Sequence, residues 1–246
     1  MKRILAVLLT VLTLLSATTF GAFTAEAKGT AYTIKKLDKS EKYYGGRFDN
    51  YYYYPVFKGN SKGIKKINTS LKKKALNSVN AFNSEPGYPE DVINTMYESG
   101  YYDSKLTFYN TEKCKVTYNK GKIISVKHQI YSKMEGRDCS DFWGSTYNKK
   151  SGKELKIYDV VPNKYSPKTK SGYKKLKRLI NKKLKKKYGS SVAETFRYQY
   201  NNKNRLCQAN FYINGKGKVV VCFGKYEIAS GASGCLSVAV PSRYAK

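Results

Sequence analysis

Two long segments of the chain carry apolar residues at the three- and four-residue spacing of an amphipathic helix. Ser61 can cap the first helix, whose apolar positions are Ile64, Ile67, Leu71, Ala75, Val79 and Phe82. The second helix stops at Gly189, and its apolar positions are Tyr173, Leu176, Ile180, Leu184 and Tyr188. Lysine covers the polar side of both predicted helices.

Short extended segments surround these helices. Turn signals at residues 119–121, 149–152 and 214–217 each separate two extended or apolar runs and predict three hairpins. The predicted strands are Tyr51–Val56, Leu106–Tyr109, Lys115–Tyr118, Ile123–Tyr131, Trp143–Asn148, Leu155–Val161, Phe211–Ile213, Val219–Phe223 and Leu236–Val240. We therefore expect an α+β fold with two subdomains, residues 28–138 and 139–246, in which antiparallel sheets are each packed by one long amphipathic lysine-rich helix.

The N-terminus has the pattern of a secretory signal peptide. A cationic start, Lys2-Arg3, precedes the apolar run Ile4–Leu15, and Ala-Glu-Ala just before Lys28 is a cleavage pattern. We predict that residues 1–27 are removed and that the mature protein is secreted or associated with the cell wall, with no transmembrane segment. The alternative is an uncleaved anchor, since residues 4–23 approach the roughly 20 residues that a bilayer requires.

The chain is strongly basic, with 47 lysines and arginines against 17 acidic residues and a formal net charge of +30. Residues 50–84 contain seven lysines, residues 166–189 contain eleven basic residues, and neither stretch contains an acid. Like charges four residues apart, as in Lys174, Arg178 and Lys182, destabilise a helix. Tolerance of this repulsion favours an anionic partner over the simpler alternative of a solvated helix face.

Lysine outnumbers arginine in both stretches, which favours diffuse attraction to a polyanion over bidentate recognition of individual phosphates. An exported protein meets teichoic acids, lipid headgroups and acidic glycans first, so nucleic acid is disfavoured as a partner. The predicted polyanion-binding residues are Lys65, Lys66, Lys72, Lys73, Lys174, Lys175, Arg178, Lys182, Lys183 and Lys186.

Candidate catalytic chemistry is sparse. His128 is the only histidine, which excludes sites built on two imidazoles, and the five cysteines include no C-x-x-C pair. Asp138, Asp141 and Glu227 are candidates for a carboxylate pair, but acids on so basic a protein are more simply partners for lysines. We therefore predict no catalytic residues, no metal and no cofactor.

The cysteines and tyrosines leave structural alternatives open. Export permits disulfides, and an odd number of cysteines leaves at least one thiol over. A bridge between Cys222 and Cys235 is geometrically feasible, and a buried unpaired thiol is the alternative for each cysteine. Among the 24 tyrosines, residues 51–54 form a run whose alternate members must face opposite sides of a strand. The high β propensity of tyrosine makes a structural role simpler than stacking on sugars.

Particular motifs resemble two known families. Tyr54-Pro55-Val56 and the following helix, with Ile67-Asn68 at its centre, resemble the small domain ahead of the catalytic part of PdaC-type peptidoglycan deacetylases. The second half resembles the extracellular C-terminal domain of RsiV-like, lysozyme-sensing anti-sigma factors. Its matching segments are residues 148–161, the second lysine-rich helix, Phe211–Ile213, Val219–Phe223 and Tyr226–Gly234. The resemblance implies a two-part α+β module at the cell wall, with a candidate ligand loop that contains Tyr226, Glu227, Gly231 and Gly234.

Departures from both families restrict what the resemblance implies. An anti-sigma factor has a cytosolic segment before its membrane span, whereas the hydrophobic run here begins at Ile4. The deacetylases use metal-binding histidines in a separate domain, whereas this chain has only His128. Residues 230–233 also stand where related loops have a proline and a bulky aromatic residue, so ligand contacts made by those side chains are not expected here. We therefore expect a secreted, non-enzymatic module that binds anionic cell-envelope polymers, either teichoic acid or an acidic glycan. Binding or inhibition of lysozyme is the alternative.

Overall fold

The computed structural model describes residues 29–43, 46–81, 98–99, 107–134 and 137–245, which form a mixed α/β structure with two sheets. The first sheet contains β1 (Tyr32–Asp38), β2 (Glu41–Tyr43), β3 (Gly46–Phe57), β4 (Thr107–Lys120), β5 (Ile123–Met134) and β6 (Arg137–Asn148). The second contains β7 (Phe211–Ile213), β8 (Val219–Phe223) and β9 (Leu236–Val240). The helices are α1 (Lys62–Ala81), α2 (Ile157–Val160), α3 (Lys170–Tyr188), α4 (Ser190–Gln199) and α5 (Lys203–Cys207).

Some predictions fall on residues that the structure does not describe. The signal peptide over residues 1–27 lies outside the described ranges, as do Phe82 and Leu106 at the ends of a predicted helix and strand. In the described ranges, no helix is both long and apolar enough to span a membrane.

The first sheet has the order β1-β3-β4-β5-β6, with β2 paired to the start of β3. Neighbouring strands in this sheet are antiparallel, with the exception of β3 and β4. These two strands are parallel, and their pairing extends from Arg47 with Thr107 to Tyr53 with Lys113. The prediction of wholly antiparallel sheets is therefore wrong at this pair. The reason is that the connection from β3 to β4 contains α1 and returns the chain to the same end of the sheet, which makes the two strands parallel.

Helix α1 packs on one face of the first sheet. Its residues Ile64, Ile67, Leu71 and Ala75 are buried, as predicted from their spacing. They contact a core of the strands' side chains, namely Tyr52, Tyr54, Phe57, Ile124, Val126 and Tyr147. Tyr51 and Tyr53 are only half-buried, so the predicted alternation in the tyrosine run is confirmed.

The opposite face of the first sheet contacts the second sheet. Ser125 of β5 accepts a hydrogen bond at Oγ from the backbone N–H of Ile213 in β7, at 2.8 Å. Gly144 of β6 lies against the backbone of Phe211, because a Cβ at this position would be 2.2 Å from the Phe211 carbonyl oxygen. Strand β6 spans the boundary proposed at residue 139, and all its residues pair with β5.

A second core lies between the second sheet and the helices of the C-terminal half. Leu176, Ile180 and Leu184 of α3 are fully buried in it. Helices α4 and α5, which the sequence patterns did not predict, add Phe196 and Leu206. The lysine-rich helix α3 therefore shares the cover of this sheet with two shorter helices.

The predicted strand Leu155–Val161 is wrong. Glu154 makes an isolated bridge to Tyr147, and Ile157–Val160 form the short helix α2. The carboxylate of Asp159 accepts a hydrogen bond from the backbone N–H of Lys156 at 3.0 Å, which closes the first turn of this helix. A short apolar run can be buried as a strand or as a helix. Here the hydrogen bond between Lys156 and Asp159 favours the helix.

Candidate functional site

The outer side of α1 carries the first basic surface. Ser61 caps the helix by accepting a hydrogen bond at Oγ from the backbone N–H of Ile64, at 3.3 Å. With the apolar positions of α1 facing the sheet, its lysines face outward, and all four predicted binding residues, Lys65, Lys66, Lys72 and Lys73, are exposed. A groove of about 640 Å³ runs over this side and is lined by Asn60, Lys62, Lys65, Lys66, Thr69, Ser70 and Lys73. Lys62 lines the groove although it was not predicted, and Lys72 was predicted but does not line the groove. We call the five residues Lys62, Lys65, Lys66, Lys72 and Lys73 the α1 lysine surface.

Helix α3 carries the second basic surface. Thr169 caps its start by accepting a hydrogen bond from the backbone N–H of Gly172 at 3.0 Å, and Gly189, at a φ of 96°, ends it. The six predicted binding residues, Lys174, Lys175, Arg178, Lys182, Lys183 and Lys186, are all exposed, and we call them the α3 lysine surface. A groove of about 460 Å³ between α3 and β9 is lined by Lys183, Lys186, Lys187, Ser237, Val238 and Ala239.

Neither basic surface is neutralised by described acidic side chains. Among the described residues, the ion pair that involves α1 joins Lys74 to Glu154 at 3.2 Å, and Lys74 is not one of the predicted binding residues. No α3 side chain forms an ion pair within the described part of the chain. Lys177 and Lys187 donate instead to backbone carbonyls, those of Arg197 and Ser237. Both surfaces therefore present positive charge to solvent.

The predicted ligand loop connects β8 to β9. Tyr226 lies at its tip with a φ of 65° and 73% of its surface exposed. Its ring lies against Gly231, where a Cβ would be 2.2 Å from Tyr226 Cζ, so a larger residue at 231 would require this exposed ring to move. Gly234 turns the chain back toward β9 with a φ of 61°. The loop therefore displays one exposed aromatic side chain.

Acidic residues gather at the base of this loop. Glu227 accepts hydrogen bonds from the Tyr200 hydroxyl and from the backbone N–H of Gly224, and Arg205 lies 4.0 Å from it. Asp141 of β6 also approaches Gly224, since a Cβ there would lie 3.4 Å from Asp141 Oδ2 and 3.8 Å from Glu227 Oε2. The structure thus brings two of the three predicted acids together, while the side chain of Asp138 is outside the described part.

The bridge between Cys222 and Cys235, one of the two alternatives that the sequence left open, is not formed, and Cys114, Cys207, Cys222 and Cys235 are thiols. The thiol of Cys235 donates to Asp141 Oδ1 at 2.8 Å. Burial raises the pKa of this thiol to about 11, and its hydrogen bond to Asp141 acts in the same direction. The side chain of Cys139 is not described.

A buried polar cluster lies between the first sheet and α1. His128, Glu112 and Cys114 place their ligand-type atoms within 4.8 Å of one another, and Tyr52 joins them through its hydroxyl. Burial lowers the pKa of His128 and raises the pKa of the Cys114 thiol. Trp143 stacks on the imidazole with 3.6 Å between ring centroids. The sequence patterns missed this cluster, because a single histidine indicated no metal chemistry and the strand register that gathers the other groups was unknown.

Comparison with known proteins supports the fold and leaves the function open. Residues 165–243, from before α3 to after β9, match the family described as "Protein of unknown function (DUF3298)". A DUF3298 family member from Bacteroides fragilis NCTC 9343 has a similar structure, with a TM-score of 0.55 and 14% identity over 87% of this chain and 92% of that one. A DUF3298 family protein from Pseudomonas aeruginosa PAO1 gives a TM-score of 0.52 and 11% identity over 86% and 91%. No curated protein matches the sequence.

Proposed function

We propose that the protein is an exported, non-enzymatic module that binds anionic polymers of the cell envelope, either teichoic acid or an acidic glycan. The observation that carries the proposal is that all ten predicted basic residues are exposed and none of them pairs with a described acidic side chain. Resemblance to PdaC-type and RsiV-like domains, both of which imply a place at the cell wall, supports the same location.

The two grooves favour an extended ligand. The groove on α1 offers lysines from successive turns, and the groove on α3 lies along the edge strand β9. Lysine attracts anions without demanding bidentate geometry, so a flexible polymer with repeated charges suits both grooves better than one small anion. Each neutralised site on such a polymer releases a counterion, so binding weakens steeply as salt rises.

The test is a pulldown of the chain from residue 28 onward on purified cell wall, with and without teichoic acid, at low and high salt. In one variant, Lys65, Lys66, Lys72 and Lys73 are changed to glutamine. The matched control changes four exposed lysines elsewhere, Lys120, Lys122, Lys216 and Lys218, to glutamine.

We expect the α1 variant to lose roughly tenfold or more in affinity at low salt and to show a shallower salt dependence, while the control loses much less. Equal losses in the two variants would show that only net charge matters. Binding that ignores salt, or that is equal on both kinds of wall, would remove the proposal.

Export is tested separately. N-terminal sequencing of secreted material should begin at Lys28, since the cleavage pattern ends at Ala27. Recovery of Met1 in a membrane fraction would contradict cleavage.

A second candidate function is lysozyme binding through the loop between β8 and β9. The observation that favours it is the exposed Tyr226 in a loop where the carboxylates of Asp141 and Glu227 both lie near Gly224. Lysozyme is itself basic, so the net charges repel, but screening at physiological salt confines that field to roughly 8 Å and lets a local acidic patch act. Arg205 beside Glu227 weakens this patch, which places the candidate second.

The two candidate functions respond oppositely to ionic strength. Lysozyme binding should hold or improve as salt rises, and Tyr226→Ala should abolish it while leaving wall binding intact. Absence of a complex with lysozyme at both low and high salt would retire this candidate.

A further inference from the structure

Strand register gathers four potential metal ligands on one face of the first sheet. Tyr52 of β3 pairs with Glu112 of β4, and Cys114 of β4 pairs with His128 of β5. Glu112 and Cys114 are two residues apart on the same strand, so their side chains point to the same face. That face is the one covered by α1, and all four side chains are buried or half-buried there.

Three polar groups converge on one nitrogen of the histidine. Nδ1 of His128 lies 2.9 Å from Glu112 Oε1, 3.0 Å from Tyr52 Oη and 3.2 Å from Cys114 Sγ. A neutral imidazole nitrogen carries either one proton or one lone pair, so it makes one good hydrogen bond and leaves the other groups to bond within the cluster, as Cys114 Sγ does with Tyr52 Oη at 3.8 Å. A cation at the point where the four groups meet satisfies each of them at once.

Neighbouring side chains orient these groups as in known metal sites. Nε2 of His128 lies 2.8 Å from Ser145 Oγ, and a proton donated there leaves the Nδ1 lone pair directed at the cluster. Ser78 of α1 donates to Glu112 Oε2 at 2.9 Å, which holds the other carboxylate oxygen, Oε1, toward the histidine. Lys74 of α1 forms an ion pair with Glu154 and lies over the Trp143 ring.

We propose that Glu112, Cys114, His128 and Tyr52 form a structural site for one divalent transition-metal ion, with Zn²⁺ as the best-suited ion. This site is independent of polyanion binding. The count of histidines predicted no metal, but a site with one sulfur, one nitrogen and oxygen donors needs only a single imidazole.

The donor set selects the class of metal. Sulfur and imidazole nitrogen favour Zn²⁺ and its neighbours over Ca²⁺ or Mg²⁺, which prefer oxygen alone. Tetrahedral zinc with bonds of 2.0–2.3 Å separates its ligand atoms by roughly 3.3–3.7 Å. Four of the six ligand-atom separations here lie between 2.9 Å and the 3.8 Å that separates Cys114 Sγ from Tyr52 Oη, and the ligand atoms of Glu112 and Cys114 lie within 4.8 Å of each other, so modest side-chain shifts accommodate the ion. A thiolate and a carboxylate also balance its two positive charges in a buried place.

The test is a Co²⁺ titration of the chelator-treated chain from residue 28 onward, because cobalt bound to a thiolate absorbs strongly in the near ultraviolet. We expect saturation at one equivalent and loss of the absorption when Zn²⁺ is added in competition. Zn²⁺ at a hundredfold excess over its Kd should raise Tm by roughly 5–10 °C. Cys114→Ser should remove the absorption, and the matched control Cys207→Ser, whose thiol lies outside the cluster, should keep it.

Two outcomes would overturn the site. One is a folded wild-type chain that gives neither the absorption nor the rise in Tm. The other is an absorption that survives in Cys114→Ser or disappears in Cys207→Ser. Should Cys114→Ser fail to fold, the titration of the wild-type chain and of Cys207→Ser decides alone.

Discussion

The side chain of Asn68 in α1 forms two hydrogen bonds with the backbone of Phe57, the last residue of β3. Its Nδ2 donates to the Phe57 carbonyl oxygen and its Oδ1 accepts from the Phe57 N–H, both at 2.9 Å. Phe57 pairs with Tyr32 of β1 on one side, but pairing of β3 with β4 ends at Tyr53, so the amide of Asn68 satisfies backbone groups of Phe57 that β4 does not reach. A single helical side chain thereby fastens α1 to the end of β3.

We expect Asn68→Ala to lower the free energy of unfolding by about 2 kcal/mol, because it leaves a partly buried donor and acceptor without partners. Urea denaturation measures this change. Asn77→Ala, at an exposed position of the same helix, is the control and should change stability little. Equal effects of the two substitutions would contradict the role assigned to Asn68.

Gly63 should not tolerate alanine although it lies in the first turn of α1. Alanine ordinarily stabilises a helix relative to glycine by up to about 1 kcal/mol. Here a Cβ would lie 2.0 Å from the carbonyl oxygen of Lys149, so the helix and the turn after β6 would have to separate. We expect Gly63→Ala to destabilise the chain by about 2 kcal/mol or more in urea denaturation. Lys62→Ala, at the preceding exposed position, is the control, and a stabilised Gly63→Ala chain would refute this packing.

Charge reversal within α3 should stabilise the fold and weaken polyanion binding. Lys182 is four residues from both Arg178 and Lys186, so Lys182→Glu converts two repulsive pairs into attractive ones. We expect a gain of about 0.5–1 kcal/mol in thermal or urea unfolding that shrinks at high salt, together with weaker wall binding. Lys182→Gln should give about half of the stability gain. A loss of stability in Lys182→Glu would show that Lys182 has a structural role.

Alkylation of Cys235 should be slow at neutral pH. Its pKa is raised to about 11, first by burial and then by Asp141, so only a small fraction is the reactive thiolate. The rate should rise about tenfold per pH unit until the pH approaches 11, as followed by mass spectrometry of the modified peptide. Asp141→Asn removes the negative charge, lowers the thiol pKa and should speed alkylation at pH 8. The reference is the same cysteine in the denatured chain, which has the pKa of an ordinary thiol. If the rate in the folded chain levels off at the same pH as in the denatured chain, the environment assigned to Cys235 is wrong.

Local sequence determined the two long helices and the exposure of their lysines. The spacing of Leu176, Ile180 and Leu184 leaves one apolar stripe, and burial of that stripe forces residues such as Arg178 and Lys182 to the opposite side. The hairpin between β4 and β5 and the strands β7, β8 and β9 were also predicted, because turn residues and short apolar runs act within a few positions.

Shorter elements were less accessible to the same patterns. The apolar run at residues 155–161 is compatible with either a strand or a helix. Helices α4 and α5 contain only ten and five residues, too few for a clear helical periodicity. Asp159 in the first turn of α2 and Asn202 at the N-cap of α5 were sequence signals for the starts of these two helices.

Only the tertiary structure decided which strands are neighbours and which polar groups meet. The parallel pairing of β3 with β4 depends on the direction in which the crossover through α1 returns, which no local pattern records. Tyr52 and His128 are 76 positions apart in the chain, yet Tyr52 Oη lies 3.0 Å from His128 Nδ1. The two residues are brought together because β3 pairs with β4 and β4 pairs with β5, each in a fixed register. Register is set by burial of a whole face against α1, so the buried cluster exists only once that face is assembled.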